Sequence, residues 1–167
     1  MTGLTRIGRA ALLSAVLALG AARLHAQDEV PALDLDTFPR TDLVIRQLKP
    51  AQVHHFRVWV ADTPQRAEQG LMFVRDLPEN QGMVFPMTPP RVESMWMKNT
   101  YIELDMLFID EHGRVVRIVA RARPLNLDTI SSGSVVSAVL ELRGGLAAKL
   151  GLKTGDVVTW EKPAAAG

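Results

Sequence analysis

MWMKNTYIELDMLFIDEHG, residues 95–113, is the stretch whose reading decides the fold. Residues 104–110 form an apolar run, closed by the polar turn Glu111-His112-Gly113, whose glycine is free to take a positive φ. That pattern predicts a buried central strand, a hairpin, and a return strand over 115–122. Period two puts Leu107 and Ile109 on the face of Asp105, and Leu104, Met106 and Phe108 on the other. A carboxylate among such neighbours is costly unless it is paired or hydrogen-bonded. Asp105 is therefore the residue the fold has to account for.

Upstream, residues 55–61 alternate. Phe56, Val58 and Val60 point one way and His55, Arg57, Trp59 and Ala61 the other, as in a strand with one face in the core. Residues 43–48 suggest a shorter strand. Thr63-Pro64 reads as a helix start, with Thr63 as N-cap and a helix to about Gln69, closed by Gly70. Residues 83–85 and 95–97 are expected as short strands. The prolines of 86–90 are expected to forbid regular structure between them. Downstream, 124–134 reads as an irregular loop and 135–142 as an apolar strand. One or two turns of helix at 146–150 and a last strand at 157–160 complete the domain. The sum is a β-rich α+β class: a compact, antiparallel, barrel-like sheet with two short helices.

The ends read differently. Arg6 and Arg9, an apolar run over 10–22 and Ala26 make a signal peptide over 1–26, with cleavage after Ala26. Residues 27–50 are read as an extended lead-in, 51–162 as the single domain and 163–167 as a tail. Nothing after residue 26 is long and apolar enough to cross a membrane. Loss of 1–26 removes three arginines and no carboxylate, so the formal charge moves from +1 to −2. That balance offers no electrostatic case for nucleic acid. The chain has no cysteine, so an exported domain would be held by its core alone.

Three blocks then resemble a known family: ADTPQRAEQGLMFVRDLPENQGMVF (61–85), MWMKNTYIELDMLFIDEHGRVV (95–116) and VLELRGGLAAKLGLKTGDVV (139–158). In that order they are similar to the domain-of-unknown-function 192 family of small exported bacterial and archaeal proteins. The resemblance covers about 53–160. It implies a compact β-rich domain, usually exported, and brings no catalytic residue list.

The candidate site residues are Trp96, Lys98, Asn99, Asp105 and Glu141. Glu141 repeats the Asp105 oddity within an apolar strand, and Lys98 is a candidate partner for either acid. Two carboxylates in unequal environments suit general acid–base chemistry. The competing account is a structural network of ion pairs and backbone caps. Met95 and Met97 share a strand face, so two thioethers are placed to grip Cu(I), with His54 or His55 as an added ligand. Against this, methionine is an ordinary core filler. Arg117, Arg121 and Arg123 share one parity and, with Arg114 nearby, form a basic stripe or a solvated sheet face. Trp59 lies on the polar face of its strand, as a sugar-stacking platform or beneath a lid formed by the lead-in. No GxSxG, cysteine nucleophile or GxxxxGK loop is present.

The expectation is an exported periplasmic or extracellular protein, a ligand-binding or accessory module rather than an enzyme. It takes no cofactor, and its partner is a small ligand or an envelope protein. The alternatives are an envelope-saccharide hydrolase using Asp105 and Glu141, and a Cu(I) carrier using Met95 and Met97.

Overall fold

A computed structural model describes residues 32–161 of the chain. The signal-peptide reading of 1–26, the first part of the lead-in and the tail at 163–167 lie outside these residues. Among the described residues no helix is long and apolar enough to cross a membrane.

The elements are β1 (Arg40–Arg46), β2 (Val53–Val60), α1 (Pro64–Gln69), β3 (Gln81–Met95), β4 (Leu104–Ile109), β5 (Val115–Ala122), β6 (Ile130–Arg143), α2 (Leu146–Leu150) and β7 (Val157–Trp160). A 3-10 turn over Leu35–Thr37 precedes them. The strands form one curled sheet in the order β5-β4-β6-β3-β2-β1-β7, a half-barrel. Its edge strands meet at one point, where the Val115 N–H donates to the Asp156 carbonyl (2.9 Å) and the Val158 N–H to the Gly113 carbonyl (2.8 Å). The first strand, inside the segment read as a lead-in, pairs with both β2 and β7.

Local signals set most element ends. Thr63 accepts the Arg66 N–H with Pro64 at the helix start, and Gly113 takes φ +77 in the hairpin turn. Pairing is antiparallel except between β2 and β3, which run parallel because α1 carries the chain back to the starting end of the sheet. The expected break at the prolines does not end the strand. β3 runs on to Met95, with a register shift between Pro86 and Arg91, and the residues between them make no ladder pair. A bulge takes up prolines that cannot donate. Met97 lies outside that strand, and β6 begins at Ile130, within the stretch read as a loop.

The sheet separates two cores. Leu43, Ile45, Val58, Leu107, Leu140 and Val158 pack on one side with Leu146 and Ala147 of α2. Phe38, Leu77, Met83, Met97, Met106 and Phe108 pack on the other. Every residue of β4 is buried, so the expected alternation there is an alternation between two cores.

Candidate functional site

Asp105 is fully buried, and its carboxylate is wholly occupied by backbone donors. Oδ1 accepts the N–H of Arg121 (2.8 Å) and of Gly145 (2.9 Å), and Oδ2 accepts that of Ala147 (2.7 Å). α2 has glycine at its N-cap and no side-chain cap of its own, so the carboxylate from β4 caps it across the sheet. The same carboxylate, through Oδ1, holds a bulge in β5, where Arg121 takes φ +49 and the register with β4 shifts.

Glu141 does not share a face with this group. β4 and β6 pair with Asp105 opposite Leu142 and Met106 opposite Glu141, so the two acids point to opposite faces of the sheet. Glu141 lies between Met83 and Met106, 3% exposed. Among the described residues its carboxyl has no hydrogen-bond or charge partner, and burial pushes its pKa up to about 8. Lys98 reaches neither acid. Its ammonium stands 5.0 Å over the exposed ring of Trp96. The acid pair and the Lys98 partnership expected from the sequence are therefore not assembled. A hydrolase built on Asp105 and Glu141 lacks the shared open cleft it requires.

Met97 is fully buried and Met95 half-buried against the same core, so their thioethers do not converge at the surface. His54 bonds Gln47 (3.2 Å) and His55 is exposed on β2. Among the described residues no group of three or more His, Asp or Glu is placed to hold a metal. The arginine stripe is split by the bulge. The Arg117 guanidinium lies 5.9 Å over the Phe108 ring, whereas Arg121 pairs with Glu103 at 2.7 Å. Trp59 is half-buried beside the core that includes Phe38, under the Arg40 guanidinium at 4.3 Å.

What does come together is a platform of three loops at one end of the sheet. The Phe73 N–H donates to the Asn99 carbonyl (2.9 Å), the Leu125 N–H to the Thr100 carbonyl (3.1 Å) and the Met97 N–H to the Asn126 carbonyl (3.0 Å). These bonds tie 71–75, 96–101 and 124–127 edge to edge. On them Phe73, Trp96, Tyr101, Leu125 and Leu127 are all exposed, Leu127 at 66%. Phe73 and Tyr101 meet edge to face at 6.2 Å, and Arg75 stacks over Tyr101 at 4.7 Å. Phe73 (φ +67), Asn99 (φ +53) and Leu125 (φ +60) all hold left-handed backbone without being glycine. Strain of this kind is kept only where the surroundings impose it, and it gathers at functional sites. Trp96, Lys98 and Asn99 from the sequence reading lie here. The apolar run Leu71-Met72-Phe73 reads from the sequence as buried, and the structure corrects this at Phe73, which is exposed; Tyr101, Leu125 and Leu127 were not legible, because no pattern in the sequence marks an apolar loop residue as exposed.

Residues 46–160 match the family model DUF192, described as Uncharacterized ACR. The chain is similar to a crystal structure from Sinorhizobium meliloti 1021, described as that of a candidate transcription regulator. Identity is 35%, over 74% of this chain and 95% of that one, with a TM-score of 0.72. It is similar also to a protein of unknown function from Novosphingobium aromaticivorans DSM 12444, at 35% identity over 78% of this chain and 91% of that one, with a TM-score of 0.73. No curated protein matches the chain.

Proposed function

The chain belongs to the DUF192 family, whose description states no activity, and we propose from the geometry that it is an exported binding module that docks an apolar, acidic segment of an envelope protein on its loop platform. The observation that carries this reading is the set of exposed apolar side chains on mutually bonded, strained loops. Aromatic rings with arginine beside them are the usual anchors of protein interfaces. Charge selects the partner. The bonded segments 71–75, 96–101 and 124–127 set Arg75 and Lys98 among the apolar side chains, with Asp76, Glu103 and Asp128 just beyond them, so an acidic group on the partner complements those two cations. One face of Tyr101 and one of Trp96 are covered by these cations, which leaves less room for a sugar ring to stack. A formal net charge of +1 gives no electrostatic support to nucleic-acid binding.

A displayed peptide library tests the docking. The chain should enrich apolar peptides flanked by Asp and Glu over the same cores flanked by Lys and Arg. Trp96→Ala or Phe73→Ala should weaken the selected peptides by about 2 kcal/mol or more, as truncating an interface anchor does. Enrichment that survives both substitutions would place binding elsewhere. Export is tested separately, by N-terminal sequencing of the expressed protein. A product beginning at Gln27 in the envelope fraction supports it, and an intact N-terminus in the cytosol refutes it.

A further inference from the structure

Beside the platform lies a depression of about 290 Å³. Its lining includes Arg75, Arg121 and Arg143, the carboxylates Asp76 and Glu103, and the backbone of Gly144. The three guanidinium groups arrive from three elements: the loop after α1, the bulge of β5 and the end of β6. Arg121 pairs with Glu103 at 2.7 Å and Arg143 more loosely with Asp76 at 3.8 Å. All four of these side chains are well exposed, and exposed pairs of this kind contribute little to stability.

The construction behind them is out of proportion to those pairs. The buried carboxylate of Asp105 binds the Arg121 N–H and the Gly145 N–H, so one fully buried acid fixes both the bulge that presents Arg121 and the turn beside it. Arg121 is held at φ +49 to do so. A Cβ on Gly145 would stand 2.5 Å from Nη2 of Arg121, and one on Gly144 would stand 2.4 Å from the Glu103 side chain. Gly145 is what lets the Arg121 guanidinium lie against the backbone, and Gly144 makes room for its partner Glu103. A buried acid, a strained arginine and Gly145 thus combine to set a cation at the wall of a concave site.

We propose that this depression binds an oxyanion, a carboxylate or a phosphate group. Arg121 and Arg143 are its principal donors and Arg75 stands at the rim. Planar guanidinium groups match the two oxygens of such a ligand. Three arginines outnumber the two carboxylates, and the ligand replaces Glu103 on Arg121. The inference is independent of peptide docking on the platform and shares only Arg75 with it. The oxyanion arrives either as a free ion or on a partner chain.

NMR titration of the full chain with inorganic phosphate and with acetate, ionic strength held constant with chloride, tests this. Saturable shifts are expected at the amides of Arg121, Gly144 and Gly145. Arg121→Gln, and independently Arg143→Gln, should weaken binding about tenfold, the loss of a charge-assisted pair. Glu103→Gln should strengthen it several-fold by removing the internal competitor. Arg40→Gln, in a different depression, should leave it unchanged. A tetrapeptide with a free terminal carboxylate that binds more than tenfold tighter than acetate through the same amides would assign the oxyanion to a partner chain, and equal affinity would assign it to the free ion. Shifts that never saturate, or an Arg40→Gln loss equal to that of Arg121→Gln, overturn the proposal.

Discussion

At the scale of single residues, the two buried acids are opposite cases. Asp105 is wholly hydrogen-bonded. Replacing it with alanine strips three backbone N–H groups of their acceptor, and the fold should lose about 3–4 kcal/mol in urea unfolding. Asp105→Asn should fall in between, because the amide group turns a donor toward an N–H. Glu141 is buried with no partner among the described residues, its pKa raised from 4.5 to about 8. The folded state therefore binds a proton that the unfolded state releases between those values. Its contribution is fully present below about pH 4.5 and is lost as pH rises toward 8, at about 1.4 kcal/mol per unit. Glu141→Gln does not titrate in that window. Its stability relative to the parent chain should rise between pH 5 and pH 8, and a constant difference would show that Glu141 is solvated.

At the scale of elements, bulges and glycines decide what the strands present. The β5 bulge moves Arg121 out of the parity it would share with Arg117, and the β3 bulge lets a proline-rich run continue as a strand. Gly144 is a tight junction. An added methyl would collide with both the side chain and the backbone of Glu103, at 2.4 and 2.8 Å. Gly144→Ala should cost about 2–3 kcal/mol, in the range of overpacked sites. A stability within about 0.5 kcal/mol of the parent chain would mean that the 102–104 segment yields freely, as surface positions do. The sequence places Gly144 and Gly145 directly before α2, but does not show what presses on them.

At the scale of the whole molecule, β4 and β6 belong to both cores, so the cores should melt together. Leu107 and Met106 are adjacent and fully buried on opposite faces. Leu107→Ala and Met106→Ala should each lower global stability by about 2–4 kcal/mol. Trp160 packs against one core and Trp59 against the other, so fluorescence of Trp59→Phe and Trp160→Phe chains, each also carrying Trp96→Phe, reports each side. Coincident urea transitions are expected, and separated ones would show that the sheet does not couple its faces.

The sequence by itself determined the β-rich class, the central strand, the hairpin at Gly113, the capped start of α1 and the family. Each of these rests on contacts within a few residues or on an ordered string of motifs. It also singled out Asp105 and Glu141 as anomalies, because period two needs no partner to be read. Only the tertiary structure decided what they do. Their faces depend on the register of β4 against β6, which a one-residue slip would reverse. The exposure of Phe73, Tyr101, Leu125 and Leu127, and the meeting of Arg75, Arg121 and Arg143, depend on loops far apart in the chain closing on one end of the sheet. Alternation along a strand is a local property of the backbone. Which strand lies beside it, and in which register, is set by the packing of the whole.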